Sequence, residues 1–432
     1  MTTFKDIGVS AEIVKALEEN GIVNPTEIQD KAIPMILESD PDFIGMAQTG
    51  TGKTAAFGIP MLELIDSGIK KTQALVLAPT RELAQQIAKE ISMFSKYQEQ
   101  IKVDVVYGGA SIQDQIRSIK RRTPHVVIAT PGRLIDLAKR KAIDLGNIRY
   151  VILDEADEML NMGFKEELDK ILAFTPEDKR TWLFSATMPS EIRRLVKVYM
   201  KDPMEVKTNQ KRVVNENIEH RYKMVRRADK PQALKRLIDF YPDMYGVVFC
   251  RTKIETQRLA ETLVSGGYAV EALHGDLSQA QRDAVMNRFR SGSVKVLLAT
   301  DVAARGIDVE NLTHVVHYAL PDDKEYYTHR SGRTARAGTS GVALSFCDAG
   351  EKGYLHNIER TIKRVVTVID DHPYHSESIA LKPKRSTGSN GKFSGRRYSN
   401  SGAKPGKNQT RRKYFSAKPR KRSRSPRSAV SA

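Results

Sequence analysis

Short apolar runs rich in β-branched residues recur along this 432-residue chain, separated by longer segments with helical spacing. In the first half they are Phe43 to Met46, Ala74 to Ala78, His125 to Ala129, Tyr150 to Leu153 and Trp182 to Phe184. In the second they are Gly246 to Cys250, Ala269 to Leu273, Lys295 to Ala299, His314 to Tyr318 and Val342 to Phe346. Strands that alternate with helices imply parallel sheets covered on both faces, so each half reads as an open α/β domain. Such sheets bind ligands beyond the carboxyl ends of their strands, which predicts polar motifs just after the runs. They are there: Gln48 to Thr54, Pro79 to Ala84, Thr130 to Arg133, Asp154 to Asp157 and Ser185 to Thr187 follow the first five. Arg251 to Lys253, His274 to Asp276 and Thr300 to Asp308 repeat the arrangement in the second half.

The length fits two domains, each with its own core. The expected boundaries are 1–206 for the first, a polar linker at 207–217, 218–371 for the second and a disordered tail at 372–432. The tail is Ser, Gly, Pro, Lys and Arg with few apolar residues, too little to offset the entropy of ordering. It also explains the formal charge of +18: residues 381–432 hold 17 Lys and Arg and no acidic residue, which leaves 53 basic against 52 acidic elsewhere. The sequence pI near 9.6 therefore describes an appendage rather than a basic domain. Cys250 and Cys347 lie in apolar runs without metal-ligand spacing and read as buried thiols of a reducing compartment. Met1 to Gly8 lacks a targeting pattern, and no stretch approaches 18 uninterrupted apolar residues, so a soluble cytoplasmic protein is expected.

Ala47-Gln-Thr-Gly-Thr-Gly-Lys-Thr54 fits the strand, glycine loop and helix of a nucleotide-binding P-loop. Gly50, Thr51 and Gly52 let backbone N–H groups cradle phosphate, Lys53 reaches the β/γ-phosphates, and the Thr54 hydroxyl can ligate Mg²⁺. Ala47 stands where the general pattern has Gly, a departure that a strand end tolerates. Asp154-Glu155 closes the run Tyr150 to Leu153. Phosphoryl transfer needs one carboxylate that holds the metal, here Asp154, and hydrolysis one that positions or deprotonates water, here Glu155. ATP and Mg²⁺ are the expected cofactors.

Asp154-Glu155-Ala156-Asp157 is the tetrapeptide for which the DEAD-box RNA helicases are named, and the chain resembles that family from about Phe4 to residue 370. The resemblance implies two tandem RecA-like domains. Phe4 and Gly21-Ile-Val-Asn-Pro-Thr26-Glu-Ile-Gln29 resemble the family's Q motif, which implies that Phe4 stacks on adenine and that Gln29, with Thr26, reads its edge. Ser185-Ala-Thr187 resembles the motif that links hydrolysis to strand separation, with Asp157 and His329 as coupling partners. His329-Arg-Ser-Gly-Arg-Thr-Ala-Arg336 resembles the arginine-finger motif, which implies that Arg333 and Arg336 project across the cleft to the γ-phosphate. Ser331 departs from the family's usual Ile and Ala335 from a frequent Gly. Asp308 resembles the residue that touches the ATP ribose.

The family's RNA-binding set is resembled by Pro79, Thr80 and Arg81, by Gly108 and Gly109, and by Thr130, Gly132 and Arg133. Arg251, Gln279 with Arg282, and Thr300, Arg305 and Gly306 extend it in the second half. These are small residues, hydroxyls, helix N-termini and Arg, suited to sugar and phosphate rather than to base edges, so single-stranded or short duplex RNA is expected to bind independently of sequence. Phe393, Tyr398, Tyr414 and Phe415 interleave the charges of the tail and suit it to tether RNA. The chain reads as an RNA-dependent ATPase that closes over ATP and RNA and pries apart short duplexes. It is expected to be monomeric, with ribosomal or RNA-decay proteins as possible partners. The rivals are a noncatalytic ATP-gated RNA clamp, against which Lys53, Glu155, Arg333 and Arg336 argue, and a DNA-directed helicase.

Overall fold

The computed structural model describes residues 2–48, 50–208, 217–304, 309, 312–335 and 339–376. Among them are two parallel sheets of seven strands. The first contains β1 (Phe43–Met46), β2 (Ala74–Leu77), β3 (Val103–Val106), β4 (Val126–Ala129), β5 (Tyr150–Asp154), β6 (Arg180–Ser185) and β7 (Met204–Lys207), in the order β3-β4-β2-β5-β6-β1-β7. The second contains β8 (Ile218–Met224), β9 (Gly246–Cys250), β10 (Val270–Leu273), β11 (Val296–Thr300), β12 (His314–His317), β13 (Gly341–Cys347) and β14 (Thr367–Val368), in the order β10-β11-β9-β12-β13-β8-β14. Counted from its own first strand, each sheet has the same order. This is the pair of RecA-like sheets that the family resemblance implies.

Every one of the ten apolar runs is a strand. They are predominantly apolar because alternate residues serve different cores. Val76, Ile128, Ile152, Trp182 and Phe184 face helices Glu27–Ser39, Lys53–Leu64 and Arg81–Phe94. Leu75, Leu77, Val127, Val151, Leu153 and Leu183 face helices Pro131–Lys139, Lys165–Phe174 and Ser190–Tyr199. The second sheet divides likewise, with Val248, Leu298 and Val316 on one face and Val247, Leu297 and Val315 on the other. Among the described residues, no helix is long and apolar enough to cross a membrane.

Four strands carry no such run. β3 and β7 are edges of the first sheet, and the exposed Met204, Glu205 and Lys207 of β7 leave only Val206 to the core. β14 has two residues, and β8 alternates Ile218, His220 and Met224 inward with Glu219, Arg221 and Lys223 between them. The linker expected from residue 207 starts inside the sheet: Lys207 ends β7 and Thr208 N donates to Met46 O at 3.1 Å. The tail expected from residue 372 also starts too early. Ser376 N donates to Met224 O at 3.1 Å, and Tyr374 packs on the second sheet's core. Residues 209–216 and 377–432, where the rest of those two expectations fall, lie outside the described residues.

Candidate nucleotide and RNA site

Parallel register brings the nucleotide motifs together. Met46 of β1 pairs with Ser185 of β6, and Asp154 of β5 pairs with Phe184. The glycine loop, the carboxylate pair and Ser185 therefore leave three neighbouring strands at one level. Gly50 and Gly52 take φ of +79° and +89°, where a side chain would be strained, and the loop delivers Lys53 to the first position of helix Lys53–Leu64. The N-cap and first turn of helix Glu27–Ser39 brace this turn. Thr26 Oγ1 donates to Thr51 O at 2.9 Å, and Gln29 Nε2 donates to Gly52 O at 3.0 Å. Gln29 Oε1 accepts the N–H of Thr26 at 2.9 Å, so the carboxamide keeps one donor and one lone pair for another partner. Phe4 is 2% exposed, and its ring serves the core here.

Lys53 is 7% exposed, and among the described residues its Nζ has no hydrogen-bond partner. A dehydrated ammonium in that condition is costly unless an anion meets it. Asp154 is buried beside it. Burial raises the Asp154 pKa, which Lys53 opposes and Glu155 reinforces. A divalent cation would restore the charged carboxylate, and the half-buried Thr54 stands next to Lys53 with a hydroxyl to share the ion. Among the described residues no group of three or more His, Cys, Asp or Glu side chains could hold a metal. Mg²⁺ carried on phosphates needs only one or two carboxylates, so the donor set fits it. Glu155 takes φ +49°, a left-handed conformation unusual for a residue with a side chain.

Asp157 ties this helix to the next motif: its carboxylate accepts from Thr187 N at 2.9 Å and Thr187 Oγ1 at 2.8 Å. Ser185 Oγ in turn donates to Thr187 O at 2.8 Å. The second half reaches the same place. Glu155, Glu158, Asp301, His329, Arg330 and Arg333 line one cleft, and His329 Nδ1 lies 2.9 Å from Glu158 Oε1. Arg330 is held away from any ligand by Asp301 at 2.5 and 2.7 Å and by Ala319 O at 2.7 Å. Arg305, Gly306, Asp308 and Arg336 lie outside the described residues.

The RNA motifs leave the other side of the first sheet, after β2, β3 and β4. Thr80 caps helix Arg81–Phe94 by accepting from Leu83 N at 3.2 Å, Pro79 is buried before it, and Thr130 precedes Pro131, the first residue of the next helix. Arg81 packs over Gly108 and Gly109; a side chain on Gly109 would collide with its guanidinium. Arg133 donates to Gln115 Oε1 at 2.7 Å and to Ala110 O at 3.1 Å, whereas Gly132 faces open space. Arg81 also donates to Gln279 Oε1 of the second half at 2.7 Å. Arg81, Gly108, Gly109 and Gln279 are thus gathered, with Arg133 beside them at Ala110. Two expected RNA contacts are engaged elsewhere. Arg282 forks onto Glu82 Oε1 at 2.9 and 2.5 Å, and Arg251 donates to Leu320 O at 3.1 Å and Glu351 Oε1 at 3.3 Å. Thr300 ends β11 opposite Cys250, next to Arg251. Gln115 and Glu158 went unread, and Glu82 and Asp301 were read only as parts of longer motifs, because the role of each is recognisable only through its partner.

Comparisons with known proteins bear on this arrangement. Residues 26–195 match the model of the DEAD/DEAH box helicase family, and residues 229–338 match the helicase conserved C-terminal domain. The DEAD-box ATP-dependent RNA helicase CshA of Geobacillus kaustophilus is 48% identical over 364 residues, 84% of this chain and 77% of that one. Its namesake in Bacillus subtilis is 45% identical over 362 residues, covering 84% and 73%. Among solved structures, S. cerevisiae Dbp5 bound to RNA and ADP BeF3 matches with a TM-score of 0.79 at 32% identity, over 85% of this chain and 96% of that one.

Proposed function

The chain belongs to the family of DEAD-box RNA helicases, and on that premise we propose that it is an ATP-dependent RNA helicase whose hydrolytic site is completed when its second half meets its first. The observation that carries this reading is Arg333 sharing a cleft with Glu155, which follows the Asp154 packed beside the buried, unmet ammonium of Lys53. Lys53 and the backbone N–H groups of the loop bind the β/γ-phosphates, and Gln29 reads the adenine edge with the donor and lone pair it retains. Phe4, by turning its ring outward, stacks on the base, and Asp308 meets the ribose. Thr54 and Asp154 would hold Mg²⁺, which would supply charge neutralisation at the phosphates. Glu155 orients water for in-line attack. Arg333, with Arg336, meets the charge that develops on the γ-phosphate, a contribution of roughly 10³- to 10⁵-fold in related NTPases.

RNA crosses the face formed by Thr80, Arg81, Gly108, Gly109, Thr130, Gly132, Arg133 and Gln279, and Thr300, Arg305 and Gly306 also contact it. Contacts there are to sugar and phosphate, so binding is independent of sequence and the 2′-OH favours RNA over DNA. Because Arg81 bonds Gln279 across the halves, the RNA face and the ATP cleft form together. Asp157, Thr187 and Ser185 connect the carboxylate pair to β6, the route by which hydrolysis releases the strand. The basic segment 381–432 tethers RNA nearby.

The test is Glu155→Gln with a short RNA duplex. The variant is expected to keep ATP and RNA binding and to lose RNA-stimulated turnover by roughly 10²- to 10⁴-fold, with duplex opening arrested after one round. Undiminished turnover would remove Glu155 from the mechanism. A wild-type protein that captures RNA with ATP but never hydrolyses it would instead be the noncatalytic clamp.

A further inference from the structure

Glu158, the residue after the acidic tetrapeptide, has no part in the scheme above. It is the third residue of helix Ala156–Asn161 and is 4% exposed. Its Oε1 meets Nδ1 of His329, on helix Lys324–Ser331 of the second half, at 2.9 Å. Arg330, the next residue, is locked to Asp301 and Ala319, so His329 cannot shift independently of its own half. Arg333 lies in the turn that follows this helix, where its N–H donates to Arg330 O, and in the same cleft as Glu155. This pair therefore links the two helices, and the geometry points to Glu158 as a positioning residue: on closure it docks His329 and so sets Arg333 against the nucleotide.

The surroundings of His329 decide its charge. Burial opposes the imidazolium, but the bond and charge of Glu158, with Asp157 and Glu155 behind it, outweigh that and hold the pKa above the ordinary histidine value. The cationic neighbours are Arg330 and Arg333 of its own half, and Asp301 neutralises the first. A pKa raised in the closed form means that the pair is fully formed below the open-state value and is lost as pH rises through the raised one. Closure is thus linked to uptake of a proton.

This inference rests on the ATP-driven closure proposed above. Its test is the affinity of the full chain for a fluorescent single-stranded oligoribonucleotide, with and without Mg²⁺ and adenylyl imidodiphosphate, from pH 6 to 8.5. In the wild type the nucleotide should tighten RNA binding, and that gain should shrink as pH rises. Glu158→Gln should reduce the gain by roughly tenfold or more, the worth of a hydrogen bond between charged groups, and flatten its pH profile. Glu158→Asp, which keeps the charge on a shorter arm, should fall between the two and keep the slope; it carries the test if the Gln variant is unstable. A Gln or Asp variant that tracks the wild type at every pH overturns the role of Glu158. No nucleotide-dependent gain in the wild type overturns the closure reading itself, and this inference with it.

Discussion

The two sheets share one strand order, yet only the first binds a nucleotide in this reading, and two lysines explain the difference. Lys53 opens the helix after β1, and Lys230 opens the helix after β8, the corresponding strand. Both are nearly buried, at 7% and 3% exposure. The first follows a glycine loop and has no hydrogen-bond partner among the described residues. The second follows Val225 to Asp229, a segment without glycine, and donates to Glu351 Oε2 at 2.7 Å and Tyr318 O at 3.0 Å. The same fold thus leaves one cation without a hydrogen-bond partner among the described residues and closes the other with its own carboxylate. Topology places the charge; the loop and one distant acid decide whether it is a ligand site or a structural pair.

Breaking the division of labour should have the largest effect. Arg333→Ala, in the half that holds no nucleotide, is expected to cut RNA-stimulated ATP turnover by roughly 10³-fold or more while ATP affinity, measured by calorimetry, changes little. Equal losses in affinity and turnover would place Arg333 in ground-state binding instead.

Next come the lysines. Lys230→Ala removes one of the two cations that meet the buried Glu351 and leaves it Arg251, so thermal or denaturant unfolding should show a loss of about 1–3 kcal/mol, the worth of a hydrogen bond between charged groups. Lys53→Ala should abolish ATP binding and leave stability unchanged or improved, since it removes a dehydrated charge that lacks a protein partner. The opposite pattern would end the comparison.

Acid should separate the halves further. Burial lowers the pKa of His220 to about 4 and also lowers those of His314 and His317, all three in β8 and β12. The first half has one such residue, His125. A histidine whose pKa is depressed in the fold costs stability as pH falls below the unfolded value of about 6.5, by about 1.4 kcal/mol for every tenfold loss of proton affinity on folding. Hydrogen exchange between pH 7 and 4.5 should therefore show peptides of β8 and β12 losing protection before those of β2 and β5.

The smallest effect is a symmetry. Thr80 and Thr252 cap equivalent helices, each accepting a backbone N–H at 3.2 Å. Alanine at either should cost about 1 kcal/mol, but only Thr80→Ala should also weaken RNA binding in a filter or anisotropy assay.

Much of this was legible in the chain. Most interior strands announced themselves because burial on both faces favours apolar residues at nearly every position, and the edge strand β10 did so through Val270, Ala272 and Leu273. Edge strands β3 and β7 and the alternating β8 did not, because one face of each meets water or carries charge. The glycine turn was equally plain, since Gly50, Gly52, Lys53 and Thr54 are consecutive or nearly so and the turn depends on local backbone geometry. Ser331 was visible only as a departure from its family. In the structure it is fully buried, with Oγ 3.2 Å from Nε2 of the buried His317, so the polar residue has a polar partner where an apolar one would leave an imidazole unmet.

Sequence by itself determined what depends on neighbours in the chain: strand periodicity, helix caps, the glycine turn and the acidic pair that ends β5. Tertiary structure alone decided what depends on residues 100 to 200 positions apart meeting in space. It turned Arg282 toward Glu82 and Arg251 toward Glu351, and it brought Arg333 to Glu155 and His329 to Glu158. Charge type can be read from a sequence, but the energy of a charge is set by burial and by its partner within a few ångströms, and only the folded chain fixes both.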